Sequence, residues 1–309
     1  MDSMEELFFP SATKECDIYA KIWKPFGGVR CVLQFAHGMA EHIQRYDGFA
    51  HFLNQYGIVF AANDHAGHGK SLADPQHKGF FCGNNGWSAA VEDLRTFHKK
   101  LAEAFPDCPH FHMGHSMGSF LARTYAARYH DGFSGFVFCG TAGKNPAIKL
   151  GTLVAKGEIR RNGPMQPSKR LEKLGFGTYN KQFSPRRTDF DWLSRDMAQV
   201  DRYVADPLCG FTFTAEGMLD IFNGLSEISS TKWAVKVPTV PILLISGDQD
   251  PVGANGKGVR QVHDWLVKTG HTVTMHLYPQ GRHEILNETN QQEVYQDVLA
   301  FINETVSKA

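Results

Sequence analysis

Apolar residues along the chain fall into short unbroken runs, separated by longer stretches that repeat every three to four residues. Runs rich in Val, Ile and Phe occupy Cys31 to Phe35, Ile58 to Ala62, His110 to Met113, Gly135 to Cys139, Pro241 to Ser246 and Thr272 to Leu277. Runs of that length and composition predict strands buried on both faces. Between them, Tyr46 to Tyr56, Ser88 to Phe105 and Phe120 to His130 carry a helical beat with one apolar face. Strand and helix in alternation predict an α/β architecture, a mostly parallel sheet with helices on both faces.

The alternation stops after Cys139-Gly140-Thr141, and 99 residues pass before the Pro241 strand, too many for a plain loop. Helical patterns at Ala147 to Arg161 and Ala215 to Leu225 lie inside this stretch. The expected organisation is therefore a core from 1–142 and 236–309, interrupted by a helical cap at 143–235. Seven cap aromatics, Phe176, Tyr179, Phe183, Trp192, Tyr203, Phe211 and Phe213, are expected to line an apolar pocket over the strands' carboxyl ends.

Composition narrows the function. Lys plus Arg equals Asp plus Glu at 32 each, so the chain lacks the basic footprint of nucleic-acid binding. Six dispersed cysteines without CxxC spacing suit reduced thiols, and the acidic N-terminus lacks the order of a signal peptide. Both point to the cytoplasm.

Phe111-His112-Met113-Gly114-His115-Ser116-Met117-Gly118-Ser119 places Gly-x-Ser-x-Gly between a strand pattern and a helix pattern. A sharp strand-to-helix turn there would expose the Ser116 hydroxyl at the sheet edge, beside a helix N-terminus that favours developing negative charge. A serine hydroxyl is a weak nucleophile at neutral pH, so the reading also needs a base, a group that orients the base, and an oxyanion hole. The hole is expected from the backbone N–H groups of Met117 and of Met39, in the loop after Phe35-Ala36-His37-Gly38. Ile245-Ser246-Gly247-Asp248-Gln249-Asp250 offers two carboxylates after a later strand, Asp248 and Asp250, and the pattern alone does not choose between them. In the order Ser, acid, His, the base must lie beyond them. His263 falls in a helical pattern, His276 in a strand and His271 between the two, whereas His283 sits in a loop after the last strand and is the expected base.

Competing motifs fail on their spacing. Gly67-His68-Gly69-Lys70-Ser71 lacks the leading glycine of a phosphate-binding loop, and His283-Glu284-Ile285-Leu286-Asn287 ends in Asn287 where a zinc protease needs its second histidine. Neither a metal nor an organic cofactor is expected.

These residues resemble the monoacylglycerol lipase and lysophospholipase branch of the α/β-hydrolases, of the serine aminopeptidase S33 type. The markers are His37-Gly38-Met39-Ala40-Glu41-His42 with Arg45-Tyr46, then Asp64 with Gly67-His68-Gly69 and Ser71. The Ser116 motif is a third, and Val200-Asp201, Tyr203 and Asp206-Pro207-Leu208 in the cap a fourth. The resemblance implies an α/β-hydrolase fold, with Asp250 as the catalytic acid and Asp248 as its structural neighbour. It also implies that Glu41, Arg45, His115 and Tyr203 lie near the polar end of a pocket that holds a glycerol-like alcohol. Some members carry cysteine just beyond the acid where this chain has Pro251-Val252-Gly253, which points to bacterial relatives. The expected activity is hydrolysis of a small lipid ester through an acyl-enzyme. The competing readings are a general carboxylesterase for short or cinnamoyl esters and a catalytically silent ligand-binding protein. Lys156 to Arg187 carries nine Lys or Arg against two Glu, so the cap is also a candidate for contact with anionic lipid.

Overall fold

A computed structural model describes residues 3–129 and 132–308. Its eight strands are β1 (Ser3–Pro10), β2 (Asp17–Lys24), β3 (Cys31–Ala36), β4 (Ile58–Asn63), β5 (His110–His115), β6 (Phe133–Cys139), β7 (Ile242–Gly247) and β8 (Val273–Tyr278). They form one sheet in the order β1-β2-β4-β3-β5-β6-β7-β8. Strands β3 to β8 run parallel, and β1 and β2 join antiparallel at the edge. All six strands expected from the apolar runs are present, each within two residues of its expected bounds. The β1–β2 hairpin was not expected: β1 is an edge strand whose Met4 and Phe8 are exposed, so no burial imposes an apolar run on it.

The helices are α1 (Asp47–Asn54), α2 (Gly86–Ala104), α3 (Met117–Arg128), α4 (Ala147–Asn162), α5 (Lys169–Phe176), α6 (Met197–Ala205), α7 (Ala215–Ile228), α8 (Thr231–Ala234), α9 (Lys257–Lys268) and α10 (Gln291–Lys308). Side chains alternate across each strand, so Leu33 and Phe35 face a layer built from α1 and α10, where Phe49, Leu53, Val298 and Ile302 pack. Val32 and Val59 face the opposite layer with Leu94 and Phe97 of α2, Leu121 and Tyr125 of α3, and Val262 of α9. Burial on both faces is why these strands read as continuous hydrophobic runs.

Helices α4 to α8 all fall between β6 and β7. Within this stretch α7 packs on α4 and also on α2 and α3; Gly224 lies so close to Trp87 that a Cβ there would come within 2.0 Å of the indole. No helix among the described residues is long and apolar enough to cross a membrane.

Candidate active site

Strand β5 delivers the chain to Ser116, whose backbone takes φ 54° and ψ −120° before α3 begins at Met117. A non-glycine residue held there is strained, and it persists only because its surroundings determine it. Two close approaches do so. A Cβ at Gly114 would sit 2.1 Å from the Gly118 carbonyl oxygen, and one at Gly118 would sit 2.0 Å from that of Ala36. The glycines thus let α3 start directly against β3 and β5. The Ser116 N–H donates to Cys139 O at 2.9 Å, fixing the turn to β6.

The loop after β7 carries both candidate carboxylates, and they face different ways. Asp250 is fully buried; its Oδ1 lies 2.9 Å from His283 Nδ1 and accepts from Val252 N–H, while Oδ2 accepts from the Ser246 hydroxyl at 3.2 Å. Asp248 Oδ1 instead accepts from Gln280 N–H at 2.7 Å, tying this loop to the one after β8. The other histidines lie elsewhere: His263 on α9 beside Asp264, His276 on β8 beside Asp297, and His271 bonded to Leu266 O and Val237 O.

With Nδ1–H given to a carboxylate, His283 presents the lone pair of Nε2 to the cavity it shares with Ser116. Burial pushes the imidazole pKa down. The Asp250 charge and hydrogen bond, with Glu284 and Glu41 beyond, outweigh burial and raise it above the usual histidine value. The ring is packed between Trp192 at 5.1 Å and His115 at 4.7 Å, centroid to centroid. Its backbone is held from the α6 side: His283 N–H donates to Trp192 O, Glu284 N–H to Leu193 O, and the Arg282 guanidinium to Asp191 O and Ser194 O. Neither Trp192 nor Glu284 was expected to shape the histidine, since both contacts arise from chain folding back on itself.

The two expected oxyanion donors line the same cavity. Met117 is the first residue of α3, so its N–H belongs to the turn that a helix leaves without internal acceptors. Met39 lies in a loop supported by buried histidines. His37 Nε2 accepts from His65 N–H at 3.0 Å, and His68 Nε2 accepts from Ala40 N–H at 3.4 Å. Those bonds require neutral rings, and burial keeps them so: the pKa of His68 is pushed down to about 4, that of His65 to about 3, and that of His37 well below the usual value.

Glu41, His115 and Tyr203 line the cavity; Arg45 stands behind it. Its guanidinium bridges Glu41 and, through two bonds of 2.6 Å, Glu284. Glu41 Oε1 also accepts from Gly38 N–H and from the Tyr46 hydroxyl, so this carboxylate shapes the Met39 loop. Burial raises the Glu41 pKa against the opposing pull of Arg45, and Glu284 adds to the rise. Tyr203 OH donates to Ala40 O at 3.0 Å beneath the Arg45 guanidinium. His115 is held neutral, first by burial and then by the neighbouring His283 and Arg45 charges.

The cavity encloses about 730 Å³, and away from these polar groups its wall is apolar, with Phe120, Ile148, Met218, Ile221, Phe222 and Leu225. Of the seven aromatics expected in the wall, Phe176, Tyr179, Trp192, Tyr203 and Phe211 are there. Phe183 and Phe213 are not. Phe183 lies under the Arg282 guanidinium at 4.2 Å, and Phe213 packs on His68, Phe81 and the Gly79 backbone. Aromatic character alone does not distinguish lining from support.

A family model described as serine aminopeptidase, S33, matches residues 27–290. The monoacylglycerol lipase of Mycolicibacterium smegmatis is 31% identical over 284 residues, 91% of each chain. The monoglyceride lipase of Mus musculus is 28% identical over 294 residues, 94% of this chain and 86% of the relative. Among solved structures, a highly thermostable carboxyl esterase from Bacillus coagulans in complex with glycerol superposes with a TM-score of 0.93 at 36% identity. That match covers 98% of this chain and 99% of the esterase.

Proposed function

The chain belongs to the serine aminopeptidase S33 family and is a serine ester hydrolase of the α/β class, and from that premise we propose that it is a monoacylglycerol lipase acting through Ser116. The observation that carries the reading is one cavity in which Ser116 and the Asp250-held His283 meet a wide apolar wall. His283 Nε2 takes the Ser116 proton as Oγ attacks the ester carbonyl. The Met39 and Met117 N–H groups hold the tetrahedral oxyanion, and Asp250 stabilises the imidazolium. His283 then protonates the departing alcohol, and a water activated by the same imidazole releases the fatty acid. No cofactor takes part.

The acyl chain fits the wall made by α4 and α7, and the glycerol lies by Glu41, His115 and Tyr203. In this reading 143–235 is a cap on a core formed by 1–142 and 236–309. The exposed Leu150 and Leu153 on α4, flanked by Lys149, Lys156 and Arg160, suit contact with an anionic lipid surface that supplies substrate. Six free cysteines fit the reducing cytoplasm.

The test is hydrolysis of monoacylglycerols, lysophospholipids, short p-nitrophenyl esters and cinnamoyl esters by wild type and Ser116→Ala. Fastest turnover of long-chain monoacylglycerols by wild type alone supports the proposal. A preference for short esters favours a general carboxylesterase, a reading that the similarity to the Bacillus coagulans esterase keeps in view. Full activity in Ser116→Ala removes the assignment of the nucleophile, and failure to label with a fluorophosphonate leaves a binding protein.

A further inference from the structure

We propose that His42, Asp206 and Cys209 form a site for a borderline-soft divalent cation, Zn²⁺ foremost, that pins the Met39 loop to the segment after α6. A ring nitrogen of His42, a carboxylate oxygen of Asp206 and the Sγ of Cys209 all lie within 4.8 Å of one another. Among the described residues this is the one such group of three. An imidazole, a carboxylate and a thiolate are the donors zinc takes, and three protein ligands leave a fourth position for water.

The spacing and access of the three side chains suit an ion. His42 and Cys209 are buried, while the Asp206 side chain is 30% exposed and leaves a path from solvent. His42 Nε2 and Asp206 Oδ2 are 2.9 Å apart, sharing one proton. Tetrahedral zinc with bonds of roughly 2.0–2.3 Å separates its ligands by roughly 3.3–3.8 Å, so an ion replaces that proton with a small widening of the pair. The sulfur need close by less than about 1.5 Å, within the reach of a side-chain rotation. Ligation exchanges the thiol proton and the shared imidazole proton with solvent, so the bound ion is neutralised by one thiolate and one carboxylate.

The position gives the site its consequence. Gly210 N–H and the Tyr203 hydroxyl both donate to Ala40 O, at 2.9 and 3.0 Å, one residue from Met39. A metal held by His42 on one side and by Asp206 and Cys209 on the other clamps that junction.

Titration of the intact protein with Co²⁺ tests the site without reference to hydrolysis. One equivalent should produce a thiolate-to-cobalt charge-transfer band, lost in Cys209→Ser and weakened in Asp206→Asn and His42→Gln, but kept in His283→Ala. One equivalent of Zn²⁺ should abolish the band and raise the Tm of wild type, and should not raise the Tm of Cys209→Ser. The proposal is overturned if no band forms, if it survives Cys209→Ser, or if it disappears in His283→Ala, which would place the ion at the triad. Should Cys209→Ser fail to fold, an unchanged band in both Asp206→Asn and His42→Gln overturns it equally.

Discussion

At the scale of single residues, the geometry around His283 makes the clearest demands. Asp250 both orients the ring and raises its pKa, so activity should fall on the acid side with an apparent pKa above the ordinary 6.5. Asp250→Asn removes the charge and favours the wrong tautomer. We expect kcat to fall by on the order of 10⁴ and the remaining acid limb to move to lower pH, both read from a pH–rate profile. An unmoved limb would separate Asp250 from the titration. Gly118→Ala tests the turn rather than the chemistry. The 2.0 Å approach to Ala36 O leaves no space for a methyl group, so α3 must retreat from β3 and carry the Met117 N–H with it. Loss of that donor's alignment should lower kcat by about a hundredfold or more, with KM for ester changing far less.

Among the elements, α3 does more than follow the Ser116 turn. Arg123, fully buried, donates from Nη1 to Thr141 Oγ1 and Ala142 O, where the chain leaves β6, and from Nη2 to Ile228 O at the end of α7. Its guanidinium stacks on Trp233 at 4.2 Å, whose indole N–H returns to Arg123 O. Burial lowers its pKa to about 9, and carbonyl groups with the C-terminal end of α7 accept its charge. One side chain thereby ties together both ends of the α4–α7 stretch. Arg123→Met leaves those carbonyls without donors and should cost about 2–4 kcal/mol in urea unfolding, with a raised KM because Ala142 lines the cavity. A stability within about 0.5 kcal/mol of wild type would show the tie to be incidental.

The elements also differ in how plainly the sequence announced them. Strands β3 to β7 lie in the sheet interior, where burial required apolar side chains of them, whereas the edge strand β8 is only half-buried. β2 is buried too, yet it carries Lys21, whose ammonium lies over Trp23 and reaches Asp47. That interruption hides a strand that pairing with β1 and β4 makes evident.

For the molecule as a whole, folding buries ionisable groups of both kinds, and their linkages oppose each other. His65 and His112 are pushed down to about 3 and His68 to about 4, with His37, His110 and His115 also lowered, in each case first by burial. The unfolded chain binds more protons at these sites below pH 6.5, so the stability they allow is full above that pH and is lost as pH falls. Asp64 and Asp93 are raised to about 6 and Asp220 to about 7, with Glu41 and Glu216 also raised. These carboxyls bind protons more readily when folded, so they favour the native state as pH falls from 7 to the unfolded carboxyl values near 4. The two sets oppose each other between pH 7 and about 5. Below about pH 4 the carboxyl contribution stops growing, while His65 and His112, still neutral in the fold, each cost about 1.4 kcal/mol per pH unit until their own pKa near 3 is reached. Denaturation curves across pH should therefore show a shallow plateau and then a steep acid limb, and a steady decline from pH 7 would contradict this balance.

The sequence by itself determined the class of sheet, the place of the long helical stretch, and the Gly-x-Ser-x-Gly turn. These are local matters: burial on both faces dictates an apolar run, and two glycines within five residues permit one strained serine. It could not separate Asp248 from Asp250 by spacing, because both lie on one loop and only the fold turns Asp250 towards His283. Nor could it show that Arg45 stands behind the cavity wall, that Glu284 is its partner 239 residues away, or that Trp192 rather than Phe183 packs on the imidazole. Those arrangements belong to the tertiary structure, because side-chain direction and long-range ion pairing are settled only when distant segments compete for the same buried space.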